Sequence, residues 1–166
     1  MADRIASFEV FYPWYLGEHR VPACRWLHFG GTSGFVGTVL ACLAARPLPV
    51  LAALIFVLGS GYLAFGMESR RSAAPVLLAM IAVAGFAHPG ILGGVVLAYA
   101  CAWVGHFIIE KNRPATFTYP LWSLAGDFRM WSEMLRGRRW AEEPRSEEHT
   151  SELQSHSDLV CRLLLE

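Results

Sequence analysis

The chain has 166 residues, 54% of them hydrophobic, and its 14 basic and 14 acidic residues cancel to no net charge. Its mean hydropathy of +0.36 exceeds what an ordinary soluble domain carries. No nucleic-acid module, Gly-rich phosphate loop or G-x-S-x-G elbow is present.

The N-terminal residues MADRIASFEV lack the basic, apolar, small-residue order of a cleavable signal, so the N-terminus is expected to be retained. The stretch FEVFYPWYL is dense in aromatics, which favour the headgroup region of a bilayer. From Trp26 to Ile109 the only charged residues are Arg46, Glu68, Arg70 and Arg71, all at breaks between apolar runs. That distribution marks a polytopic membrane protein. Four apolar spans follow at about 26–45, 48–67, 73–87 and 90–109, the third short. At 1.5 Å per residue, roughly twenty residues cross a hydrocarbon core of about 30 Å. The connections are short, so consecutive helices are antiparallel neighbours. Gly30 with Gly34, and Gly90 with Gly94, match the G-x-x-x-G spacing of close helix packing.

After Pro120, the positions Leu121, Leu124, Phe128, Trp131 and Leu135 recur at helical spacing, with Asp127, Arg129, Glu133 and Arg136 between them. An amphipathic helix over 120–136 is expected, resting on the leaflet or capping the bundle. The segment 145–166 is polar and Ser/Glu-rich, then abruptly aliphatic. It reads like the in-frame translation of a sequencing-library adapter, an artefactual tail without function or order. Setting it aside leaves 12 basic and 9 acidic residues, a net charge of about +3. The expectation is thus an all-α fold. Residues 1–144 form a single membrane-embedded domain, a polytopic bundle of four transmembrane helices with interfacial amphipathic helices at both flanks.

The cations set the orientation. Arg4, Arg20 and Arg25 precede the first span, Arg70 and Arg71 follow the second, and Lys111, Arg113, Arg129, Arg136, Arg138 and Arg139 follow the fourth. The opposite side has only Arg46, so both termini are expected on the cytoplasmic side of a multi-pass integral membrane protein. The membrane would be a bacterial inner membrane, or the endoplasmic reticulum in a eukaryote. Cys24, Cys42 and Cys101 are scattered with no C-x-x-C pair, which supports neither a disulfide framework nor a zinc ribbon.

Topology sorts the histidines. His19, His28 and His106 fall at cytoplasmic ends of the first and fourth spans, whereas His88 sits in an H-P turn on the opposite face and is set aside. The run GHFIIEKNRP places His106, Glu110 and Arg113 at i, i+4 and i+7, one helix face. Ionisable groups in a membrane helix are costly and turn inward to pair or bind. His19, His28 and His106 with Glu110 or Glu18 admit two readings. One is a mononuclear site for iron, zinc or manganese; the other is a polar network of interfacial histidines bonded to headgroups and backbone. Arg25, Lys111 and Arg113 are candidate binders of an amphiphile's carboxylate, or cations that serve topology and lipid headgroups.

The pieces FYPWYLGEH, RWLHFGGT and GHFIIEKNRPATFTYPLWSLAGDFRMW closely resemble the 2-hydroxy-fatty-acid dioxygenase family, over roughly residues 8–135. The resemblance implies an iron(II)-dependent membrane enzyme that shortens a 2-hydroxy fatty acid by one carbon. Such an enzyme consumes dioxygen without 2-oxoglutarate and serves fatty acid α-oxidation. It also implies that His19, His28 and His106 are the essential iron-site residues, with Glu110 as ligand or orienter. Arg113 or Lys111 would then neutralise the substrate carboxylate while the alkyl chain runs between the first and fourth spans. Two departures stand out: the first motif is reduced to Glu18-His19, and Cys24 stands where an asparagine is expected. The partners implied are a 2-hydroxy fatty acid, dioxygen and membrane lipid. The alternative is a non-catalytic membrane scaffold or lipid-binding protein. A di-iron hydroxylase or desaturase needs more clustered histidines than this chain has. A transporter would carry an ionisable residue at mid-span, and none is there.

Overall fold

The computed structural model describes residues 4–69 and 71–140. The adapter-like segment 145–166 and Arg70 lie outside the described residues. Six α-helices follow in order: α1 (Phe8–Gly17), α2 (Pro22–Ala45), α3 (Pro47–Phe65), α4 (Ala74–Ala87), α5 (Gly90–Trp103) and α6 (Pro120–Leu135). A π-helical turn (Val104–Glu110) extends α5, and a 3-10 turn (Ala115–Phe117) precedes α6. Among the described residues there is no strand, as an all-α chain requires. Proline starts four of the helices, at Pro22, Pro47, Pro75 and Pro120. There its fixed φ suits the first turn and its missing N–H costs nothing.

Three helical stretches are long and apolar enough to cross a membrane: Pro22–Ala45, Pro47–Phe65 and Gly90–Glu110. The fourth expected span is α4, whose 14 residues fall short of that length. The outer faces suit lipid: Leu48, Leu58, Leu63 and Phe86 are all largely exposed. So much outward apolar surface is a liability in water and natural in a bilayer.

The bundle has the cyclic order α2, α3, α4, α5, with its tightest seam between α2 and α5. Glycine makes that seam. A Cβ on Gly31 would lie 2.9 Å from Cys101 Cβ and 3.2 Å from the Ala98 Cα, and one on Gly34 would meet Leu97 at 2.7 Å. From α5, Gly94 faces Thr38 and Phe35. Of the two spaced glycine pairs, Gly34, Gly90 and Gly94 meet the partner helix, whereas Gly30 faces open space.

α6 lies across the bundle end and packs on α2, α3 and α4. It is fastened there by Glu68, whose side chain is fully buried. One carboxylate oxygen accepts the Ala73 N–H (2.6 Å) at the start of α4. The other accepts the N–H groups of Leu121 (3.1 Å) and Trp122 (3.5 Å) at the start of α6. A carboxylate between two helix N-termini satisfies donors that have no intrahelical partner. Most aromatics of α1 turn inward, although Trp14 is exposed. Phe11, Tyr12 and Tyr15 are buried against Tyr119, Trp122, Met130 and Met134, so α1 docks on α6 through a core of its own.

Candidate metal centre

His19 follows α1 in the turn before α2, His28 lies in the second turn of α2, and His106 sits in the π-helical turn after α5. The glycine seam sets the last two side by side, and α1 folds over them. All three imidazoles are buried, and each offers a ring nitrogen within 4.8 Å of those of the other two. Ring centroids are 4.5 Å apart for His19 and His28, 4.6 Å for His19 and His106, and 5.2 Å for His28 and His106.

Each ring is held through Nδ1. His19 Nδ1 is 2.7 Å from the Tyr15 carbonyl oxygen, and His28 Nδ1 is 2.6 Å from Asp127 Oδ1. His106 Nδ1 is 2.8 Å from Asn112 Oδ1. A carbonyl and a carboxylate only accept, so the first two rings carry their proton on Nδ1. For the third, the Asn112 amide donates from Nδ2 to Glu18, at 2.8 Å to the carbonyl and 2.9 Å to Oε2. This turns the Oδ1 acceptor towards His106. All three Nε2 atoms are thereby left with lone pairs, and those of His19 and His28 are buried with no partner. A buried acceptor without a donor is costly. Three clustered imidazoles bonded through Nδ1, with their Nε2 lone pairs free to donate, form the donor set of a divalent transition-metal site. Burial, and then the neighbouring His28 and His106, hold the His19 imidazole well below its ordinary pKa, so it is neutral and able to ligate.

The π-helical turn explains the placement of His106. It ends at Lys111 in the left-handed conformation (φ 55°), and the chain doubles back so that the Asn112 N–H bonds the His106 carbonyl at 3.0 Å. Asn112 thus holds His106 at both backbone and ring. π-turns inside α-helices recur at functional sites for this kind of re-aiming. On the other side, the Tyr15 hydroxyl donates to Asp127 at 2.5 Å. Burial and that carboxylate push the Tyr15 phenol well above its usual range, so it remains a donor. Burial pushes the Asp127 carboxyl up, but His28 and the hydrogen bonds from His28 and Tyr15 outweigh it, and the group lies below its ordinary value.

The remaining candidates are placed differently. Glu110 Oε1 accepts the Val21 N–H at 2.7 Å, at the start of α2. Among the described residues, the carboxylate and thiol donors do not join the three histidines within that 4.8 Å group. Arg25 is buried and donates to the carbonyls of Arg20 (2.8 Å) and Arg139 (3.1 Å). Lys111 is exposed, and the exposed Arg113 guanidinium lies over the Phe117 ring at 5.2 Å. Tyr15, Asn112 and Asp127 are the residues that sequence reasoning missed. Asp127 had a usable signal: three residues after Leu124 and one before Phe128, it falls on the inward face of α6.

A cavity of about 130 Å³ opens from the cluster into the bundle. His28, His106 and Asp127 stand at one end, and Leu77, Met80 and Ile91 line the rest. The α2–α5 seam itself is closed by its glycines. The space lies beside it, bounded also by α4 and α6.

A family model described as 2-hydroxy-palmitic acid dioxygenase Mpo1-like matches residues 5–139. That is most of the chain, which therefore belongs to the Mpo1-like family. No curated protein and no solved structure matches it.

Proposed function

We propose that this member of the Mpo1-like family is an iron(II)-dependent dioxygenase that shortens 2-hydroxy fatty acids by one carbon at the cytoplasmic face of a membrane. The observation that carries the reading is the set of three Nδ1-anchored imidazoles, those of His19 and His28 with bare, buried Nε2 atoms, beside an apolar cavity. His19, His28 and His106 would hold the iron. When bound, iron(II) supplies the redox chemistry that lets dioxygen react with a 2-hydroxy acid. The protein's own part is positional. Asp127, the Tyr15 carbonyl and Asn112 fix the three rings in one tautomer and leave their Nε2 lone pairs convergent. The apolar wall from Leu77 to Ile91 takes the alkyl chain and excludes water. Glu110 acts as an orienter, tying the π-turn that bears His106 to Val21, the residue just before the His28 helix. Lys111 and Arg113, exposed next to the π-turn, attract the anionic substrate to the membrane face.

The cluster also supports four crossings. His28 is near the start of α2 and His106 just beyond α5, yet they meet, so α5 must end on the side where α2 begins. α3 returns the chain to that side. A crossing by α4 would let α5 start from the other, with local thinning or tilt accommodating its shortness. By the cation pattern this side, and with it both termini, would be the cytoplasmic one.

The test is anaerobic reconstitution of the purified protein with ferrous ion, followed by 2-hydroxypalmitate and dioxygen. The expected product is the one-carbon-shorter acid, and His106→Ala should abolish it while the protein still inserts. Protein that takes up no iron and gives no product would instead mark a lipid-binding scaffold.

A further inference from the structure

The functional reading leaves the acid end of the substrate without a cation inside the cavity. No lysine or arginine stands in the cavity wall among the described residues. What the wall holds there is a pair of hydroxyls. Thr116 Oγ1, in the 3-10 turn, and Ser123 Oγ, in the first turn of α6, are 3.0 Å apart. Both line the cavity together with His28, His106 and Asp127, and Ser123 is only 4% exposed. Two hydroxyls carry two donor hydrogens. The bond between them uses one, and neither makes another side-chain bond among the described residues. Neither hydroxyl is bonded to Asp127, whose Oδ1 accepts from His28 and Tyr15. One O–H therefore faces an apolar cavity with no protein acceptor, an arrangement that is costly until an acceptor arrives. An anionic oxygen is the strongest such acceptor. The segment is also pre-set, since Pro114 and Pro120 restrict it on both sides and the Ser123 N–H is bonded to the Tyr119 carbonyl at 2.8 Å.

We infer that Thr116 and Ser123 form the head-group subsite of the cavity, donating a hydrogen bond to a carboxylate oxygen of the 2-hydroxy acid while its chain lies along Leu77, Met80 and Ile91. The assignment rests on the functional reading above. It makes hydroxyls, rather than Arg25, Lys111 or Arg113, the groups that touch the carboxylate.

The experiment is anaerobic calorimetric titration of the iron-loaded protein with 2-hydroxypalmitate and, as a neutral control of equal chain length, hexadecane-1,2-diol. Ser123→Ala and Thr116→Val should each weaken binding of the acid about tenfold to a hundredfold. Diol binding and iron content should stay within about twofold of the parent protein, and Thr116→Ser should restore acid binding. Unchanged acid binding in both variants would overturn the subsite, and so would equal weakening of acid and diol. Should Ser123→Ala fail to hold iron, the Thr116→Val and Thr116→Ser pair decides alone. A parent protein that holds iron but binds neither ligand would bring down the dioxygenase reading itself, a result distinct from the others.

Discussion

The hydroxyl of Tyr15 donates to Asp127 Oδ1 at 2.5 Å, and the same oxygen accepts the Nδ1–H of His28 at 2.6 Å. The Tyr15 carbonyl meanwhile holds His19 at 2.7 Å. One residue of α1 thus orients two of the three imidazoles, one directly and one through a carboxylate. Gly126 makes room for it, since a Cβ there would press on the Tyr15 ring at 3.2 Å.

Removing the charge of Asp127 should weaken the metal site without dismantling it. Asp127→Asn is expected to cost about tenfold to a hundredfold in metal affinity, the usual effect of losing a carboxylate behind a ligating histidine. Tyr15→Phe keeps the carbonyl that holds His19 and should cost less. Cobalt(II) titration followed by visible absorption separates the two.

Asn112 should matter through His106 alone. Asn112→Ala removes the acceptor behind Nδ1 and is expected to lower cobalt(II) affinity about tenfold. Glu18→Gln keeps a side-chain oxygen to accept from Asn112 and should leave affinity nearly unchanged. Equal losses in both variants would show that the Glu18 charge, rather than the amide oxygen, governs the site.

Much of this was legible in the sequence, and the reasons differ by residue. Three spans were visible because long apolar runs leave charges only at their breaks, and the bounds of α2, α3, α5 and α6 differ from expectation mainly at their ends. The histidine trio was separable from His88 because charge alone sorts membrane sides. Asp127 was grouped with Arg129 and Glu133 because periodicity reports polarity rather than destination. Asn112 could not be read as a partner of His106 because the contact depends on a left-handed Lys111 and a π-turn, neither of which has a compositional signal. The aromatics of α1 suggested headgroups, although their spacing is equally that of a small core.

Acidification should release metal and reduce stability together. His19 is held well below its ordinary pKa of 6.5 by burial and by the other two imidazoles. In the unfolded chain it protonates near 6.5, whereas in the fold it resists, so below that pH the unfolded state binds more protons and gains. Stability should be level above about pH 6.5 and fall as pH drops below it. Bound metal, competing with the same protons, should deepen the dependence. Thermal melting of apo and zinc-loaded protein from pH 8 to 5 tests this. His19→Gln should flatten the apo curve.

The α2–α5 seam should not tolerate a side chain at Gly31. A Cβ would stand 3.2 Å from backbone at Ala98, which cannot swing aside. Gly31→Val is therefore expected to part the helices that carry His28 and His106. Metal should be lost along with a destabilisation of about 1–3 kcal/mol. Gly30→Val faces open space and serves as the matched control.

Glu68→Ala should loosen α6 from the bundle. The substitution strands the N–H groups of Ala73, Leu121 and Trp122, and a buried unsatisfied donor costs about 1–3 kcal/mol. Hydrogen exchange should show the first turns of α4 and α6 opening together, with α2 and α5 less affected.

The three anchors behind the imidazoles are chemically unequal: a backbone carbonyl, a carboxamide and one carboxylate. Among these anchors Asp127 alone brings a formal charge into contact with the cluster. A divalent ion seated there would keep one uncompensated positive charge beside an apolar wall. A single carboxylate would cancel it. The cavity therefore needs no arginine to balance a monocarboxylate. By the same count the filled site is neutral with a monoanion, in excess with a dicarboxylate and in deficit with a neutral lipid. With a metal bound, Asp127 would help select the charge of the ligand as well as the posture of a histidine.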